Sequence, residues 1–143
     1  MAKSRFNNAA KMQRQKEQLE RELSKFVRAM GVEAKNHFVA SFRNQGFTDR
    51  RLERWQRRRN NSDPGRAILV KSGNLRRSIR VLSTSINEVT VGSMLPYAEI
   101  HNNGGQLRRG RMPRRQFIGE SYQLNKRLQK MLDRTIKNVF KTR

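Results

Sequence analysis

The groups able to carry chemistry are few and scattered. Acid–base or nucleophilic catalysis needs paired carboxylates, or a histidine aligned between a carboxylate and a nucleophile. Beyond the first seventy residues the only acids are Glu88, Glu99, Glu120 and Asp133, and no spacing pairs them. His101 stands two residues from Glu99, so the two would share one face of a strand; the other histidine, His37, belongs to a distant helical pattern. No third or fourth metal ligand is in register, and a hydrogen-bonded structural histidine is the better reading of His101. No phosphate-binding loop, dinucleotide fingerprint or nucleophile elbow occurs, and His101-Asn102-Asn103 alone does not make an H-N-H nuclease. The absence of cysteine excludes disulfides, thiolate catalysis and cysteine-bound zinc. These residues predict a non-enzymatic protein without cofactor or metal.

Arginine is the exception to this sparseness. One cluster comprises Arg50, Arg51, Arg54, Arg57, Arg58 and Arg59; a second comprises Arg108, Arg109, Arg111, Arg114 and Arg115. Both fall in stretches expected to be basic loops, 49–66 and 103–115. Guanidinium forks match phosphate oxygens bidentately. Few aromatics accompany the second cluster, so base stacking of the single-strand kind is not indicated. Sequence-independent contact with duplex phosphates is favoured over a merely solvated surface. The expected contacts, to DNA phosphate or to an acidic docking partner, are Arg57, Arg58, Arg59, Arg108, Arg109, Arg111, Arg114 and Arg115.

The whole chain agrees with its clusters. Lys and Arg number 33 against 11 Asp and Glu, a formal net charge of +22 over 143 residues. Such self-repulsion opposes a compact monomer unless a polyanion or an acidic partner relieves it. The basic residues are spread along the chain rather than gathered in one amphipathic segment, which argues against a membrane surface. No apolar run approaches the roughly 18 residues needed to span a bilayer, and the opening MAKSRFNNAAKMQRQKEQ lacks the apolar stretch of a secretory signal.

The elements that must position these arginines are legible from periodicity. Leu19, Leu23, Phe26, Val27, Met30, Ala34, Phe38 and Phe42 recur at steps of three and four, predicting a helix from about Ala9 to Asn44. Residues 1–10 are expected to lack fixed structure, Gly31 to kink or break the helix, and Gly46 to stop it. In DRRLERWQRRRNNSDPGR, Leu52 and Trp55 suit a short helical turn, and Asn60, Asn61, Ser62, Asp63, Pro64 and Gly65 are turn chemistry. Leu75 and Ile79 place a helical turn on one side of the core. Alternation over 78–83 and 86–92, joined at Thr84-Ser85, predicts an antiparallel hairpin. Tyr97 to His101 reads as a strand or a helical turn, and GGQLRRGRMP, Gly104 to Pro113, as an exposed aperiodic loop. Leu124, Leu128, Met131, Leu132, Ile136, Val139 and Phe140 predict a closing helix from Ile118 to about Phe140, with Lys137, Lys141 and Arg143 near its C-terminus, where cations suit the helix dipole. The fold class is therefore α+β in one domain, 1–143: a long N-terminal helix, a small antiparallel β-sheet and a long C-terminal helix.

Three stretches depart from the generic: ILVKSGNLRRSI, VTVGSMLPYAEIHNNGG and RMPRRQFIG. In order and spacing they resemble the phage virion morphogenesis family, the tail completion proteins of Mu-like phages and related minor tail and neck proteins. That family runs through L-x-x-S/T-G-x-L-x-x-S-I, V-G-S/T … Y-A-x-I-H-x-x-G-G and I/M-P-x-R-x-F-L/I-G before a C-terminal helix. The positions that match are Gly73, Leu75, Tyr97, His101, Gly104, Gly105, Pro113, Arg114 and Phe117. Met112, Gln116 and the very basic 50–59 segment depart from the pattern. Gly73, Gly104 and Gly105 suit positive φ at turns, Pro113 stiffens the exit toward the last helix, and Tyr97 and Phe117 are expected to anchor the basic loop to the core.

The resemblance implies a structural subunit of a phage virion that completes the tail or joins head to tail at the neck. It further implies a closed homo-oligomeric ring, six- or twelve-fold, meeting connector and tail tube proteins with duplex DNA passing through. The rival from composition is a general nucleic-acid-binding protein of ribosomal or nucleoid type, against which the missing aromatic platforms count.

Overall fold

The computed structural model describes residues 2–60 and 62–141, with side chains from Asn8 onward. Met1, Asn61, Thr142 and Arg143 lie outside it, and with them the expected turn role of Asn61 and helix-end role of Arg143.

Helix α1 runs from Ala2 to Asn44, longer at its start than the apolar stripe demands. It passes through Gly31 without a break. A Cβ at Gly31 would stand 2.7 Å from Val89 Cγ2 and 3.2 Å from Val81 Cγ2, so the residue is small because a hairpin packs on it there. Its termination belongs to Gln45 rather than Gly46. Gln45 turns left-handed at φ 55, and its side-chain amide donates to the Phe42 carbonyl at 2.6 Å, satisfying one of the orphan acceptors of a helix end.

The segment after α1 corrects the expectation of a loop with one helical turn. Strand β1, Gly46–Thr48, pairs antiparallel with β2, Leu52–Arg54. The Trp55 N–H donates to the Gln45 carbonyl at 2.9 Å, extending the ladder. The ladder gives backbone groups of both segments cross-strand partners, where a single helical turn leaves most of its end groups orphaned. Leu52 consequently faces solvent, 38 % exposed, while Trp55 enters the core along with Phe47 of β1.

Helix α2, Asn74–Ser78, carries Leu75 and Ile79 inward as expected. Strands β3, Arg80–Thr84, and β4, Val89–Gly92, form the predicted antiparallel hairpin, with a register shift between Val81 and Ser83. Its turn takes residues 85–88, closed by the Ser85 N–H donating to the Glu88 carbonyl at 2.7 Å, so Ile86 sits in the turn and not in a strand. Residues Ala98–Asn103 are helix α3.

The stretch Gly104 to Pro113 is a further correction. It is a hairpin, β5 Gly105–Leu107 with β6 Gly110–Met112, turning on Arg108 and Arg109. Strands of three residues are too short to show alternation, and an Arg-Arg turn lacks the Asn-Gly signature of such loops. Helix α4, Tyr122–Lys141, begins four residues later than its apolar pattern. Ser121 caps it, accepting from the Leu124 N–H at 3.2 Å. Among the described residues the β structure is therefore three two-stranded sheets rather than one, within the expected α+β class.

Helix α4 lies antiparallel on α1. Arg127 pairs with Glu33 at 2.8 Å, while Met131 and Thr135 stand against the earlier stretch Glu22 to Ala29. The β3–β4 hairpin packs on α1 at Gly31. The core gathers around Phe42 and Phe117, each 1 % exposed with ring centroids 5.2 Å apart, and draws in Phe38, Phe47, Trp55, Leu75, Ile79 and Leu124.

Candidate functional site

The two arginine clusters, some fifty residues apart in sequence, meet at one groove. It has a volume of about 650 Å³ and is lined by Arg57, Arg58 and Arg59 on one side and Arg111, Arg114 and Arg115 on the other. Gln56, Asn60, Asn103, Gly104, Gly105, Met112 and Pro113 line the rest, and among the described residues no acid lines it.

Hydrogen bonds around segment 115–118 hold the two sides in register. The Trp55 indole N–H donates to the Gln116 carbonyl at 2.7 Å. Arg115 Nε donates to the Gln56 carbonyl at 3.0 Å, and the Arg115 N–H to the His101 carbonyl at 2.9 Å. Asn102 Oδ1 accepts from the N–H groups of both Phe117 and Ile118 at 2.9 Å, and its Nδ2 donates to the Ile118 carbonyl at 3.1 Å. One side chain thus does the work of a strand. Gly104, at φ 70, admits the backbone of Arg114: a Cβ there would stand 2.7 Å from Arg114 N.

The arginines differ in what they offer. Arg57, Arg59 and Arg111 are exposed in the groove. Arg58 donates to the Arg66 and Asp63 carbonyls and is partly committed to the fold. Arg114 is exposed and pairs with the Gln116 side chain. Arg115 departs from the expected set of outward contacts: it is buried at 7 % exposure. Burial first, and then the Arg58 charge, push its pKa down. Arg108 and Arg109 sit exposed at the β5–β6 turn, outside the groove. Arg50 is drawn away to stack on the Tyr122 ring, 4.2 Å from its centroid.

The motif glycines Gly73, Gly104 and Gly105 take φ of 72, 70 and 152, as their turn roles require. Leu75 and Phe117 are buried. Tyr97 is not the core anchor expected of it; it is 41 % exposed, with its ring edge-on to His101 at 6.1 Å. Among the described residues no group of three His, Cys, Asp or Glu could hold a metal ion, and no helix is long and apolar enough to cross a membrane. Sequence reasoning missed Asn102 and Gln45. An asparagine inside a motif gap and a glutamine after a helix carry no signal until their backbone partners are known.

The profile of the phage virion morphogenesis family matches residues 3–137, nearly the whole chain. The chain belongs to that family. Its role is therefore in the building of a phage virion, and the groove is a feature of a virion morphogenesis protein. No curated protein and no solved structure matches the chain.

Proposed function

We propose that this protein is a tail completion or head–tail joining subunit. In this reading it is structural rather than catalytic and forms a ring at the virion neck around the DNA. The observation that carries it is the groove: six arginines from two distant segments, with Arg57, Arg59, Arg111 and Arg114 exposed, and no acid among its described lining residues. A duplex presents phosphates without base identity, and guanidinium groups on a rigid frame suit them. Assembly is supported by apolar surface that the chain leaves uncovered, with Phe140 66 % and Met12 68 % exposed, and by the exposed stretch 8–17 of α1. A ring of such subunits closes through one repeated heterologous contact.

The test replaces Arg57, Arg59 and Arg111 together with Ser, sparing Arg58 and Arg115, whose bonds serve the fold. Duplex binding is measured across a salt series. Each lost phosphate contact lowers the log–log salt slope by about 0.9, so the triple variant should lose roughly 2.7. Affinity should fall equally for unrelated sequences. An unchanged slope, with heads and tails failing to join in complementation, would make the groove a protein-docking element instead.

A further inference from the structure

A second concavity, of about 330 Å³, adjoins the groove and shares Arg58, Met112 and Arg115 with it. Its remaining cations are Arg66 and Lys71, and no acid lines it among the described residues. It has an aliphatic wall, made by Ile68, Leu69 and Leu75 beside Met112.

Two buried nitrogens of lining residues, Arg66 Nε and His101 Nδ1, have no hydrogen-bond partner. Arg66 spends Nη1 on Asp63 at 2.9 Å, which leaves Nε uncommitted. Buried polar atoms in folded proteins are nearly always paired, so two in one pocket call for a partner; Arg66 Nε can only donate, and His101 Nδ1 donates when it carries the ring proton. The wall is also held in a costly conformation. Leu69 is left-handed at φ 60, and the Gln45 side chain grips the Ile68 backbone on both its N–H and its carbonyl. Such outliers concentrate where ligands bind.

We propose that this pocket receives a carboxylate presented by a protein chain: a Glu or Asp side chain next to an apolar residue of a neighbouring virion protein. Both nitrogens are closed to solvent in the free chain, so the side chains over them give way on entry; the carboxylate then accepts from Arg66 Nε and from the protonated nitrogen of His101, and the adjoining apolar side chain lies on Leu69 and Leu75. A duplex backbone has phosphates for the cations but no side chain for the wall of Ile68, Leu69 and Leu75, residues that the groove lacks. The inference stands apart from the DNA reading and survives its failure.

Burial first, then Arg115, lowers the pKa of His101. Arg58, Arg66, Lys71 and Tyr97 also line the pocket. An incoming carboxylate opposes these influences, so binding should raise the His101 pKa.

The experiment titrates the full chain with two capped tetrapeptides, Leu-Glu-Glu-Leu and Leu-Gln-Gln-Leu, following the imidazole signals by NMR. The chain has 2 histidines, so His37, beyond the pocket, reports whether the fold is intact. The Glu peptide should shift His101, leave His37 in place and raise the His101 pKa, whereas the Gln peptide should do none of these. Arg66→Gln should weaken binding roughly tenfold or more. Lys71→Ala, at an exposed position, should weaken it without disturbing His37. A His101 signal indifferent to the Glu peptide overturns the proposal. So does a short DNA duplex that moves His101 as the peptide does in the Arg57→Ser, Arg59→Ser, Arg111→Ser variant, since with the groove disabled the pocket would then be the phosphate site.

Discussion

Asn102 does more to place the groove than any arginine in it. Its amide is the partner of two N–H groups and one carbonyl of residues 117 and 118. Asn102→Ala leaves those groups unpaired beside the core, at a cost of about 2–4 kcal/mol; Asn102→Asp keeps the acceptor and should cost less. Thermal melts of the three proteins check the order. His37 carries a second consequence at this scale. Its Nε2–H donates to the Thr48 carbonyl at 3.0 Å, and its Nδ1 accepts from Arg127 Nη2 at 2.7 Å. A carbonyl only accepts and a guanidinium only donates, so the ring must be neutral with its proton on Nε2. Burial lowers its pKa most; the Thr48 bond raises it, Arg127 lowers it, and Glu33 raises it. The unfolded chain therefore binds protons that the folded chain refuses. Stability holds above the ordinary histidine pKa of 6.5 and falls as pH drops below it toward the lowered folded value. Melts between pH 8 and pH 5 should show this loss, and His37→Gln should reduce it, leaving the part that His101, whose pKa is also lowered, contributes.

At the scale of elements, the helices were open to sequence reading because burial of one face repeats every three or four residues. Leu124 and Phe38 could be assigned to the core from spacing alone. The short hairpins were hidden for the converse reason: β1, β2, β5 and β6 have three residues each, fewer than an alternation needs. Both arginine clusters could be picked out as clusters, but not their convergence, which depends on Trp55 and Asn102 reaching the same segment. Gly31 shows how one residue supports opposite readings. In isolation a mid-helix glycine weakens the helix by about 1 kcal/mol relative to alanine. Here the methyl group of Gly31→Ala would press on Val89 at 2.7 Å and Val81 at 3.2 Å, and two β-branched side chains have little room to yield. Overpacking of this kind costs about 1–3 kcal/mol. The substitution should therefore destabilise despite better propensity, and denaturant midpoints should fall. Adding Val89→Ala should recover part of the loss.

For the molecule as a whole, charge sets two responses to salt that run in opposite directions. The chain carries 33 Lys and Arg against 11 Asp and Glu. Among the described residues there are four ion pairs, and only Arg127–Glu33 joins two elements. Lys16–Glu20, Lys25–Glu22 and Arg66–Asp63 are local pairs at or near the surface, worth little individually. Screening therefore removes far more repulsion than attraction. The Debye length shrinks from about 30 Å at 0.01 M salt to about 8 Å at 0.15 M, so most of that relief arrives over this range. Folding stability of the free protein should rise with salt. A gain of about 1 kcal/mol would lift Tm by roughly 3–5 °C for a chain of this size. Over the same range, counterion release weakens duplex binding steeply. A sulfate-free sodium chloride series keeps specific anion effects apart from screening, and melts with and without duplex separate the two responses. Free protein should gain Tm as salt rises, while the extra Tm conferred by duplex should shrink. If free protein instead loses Tm with salt, attraction within the monomer outweighs repulsion, and the charge is not held in reserve for a polyanion.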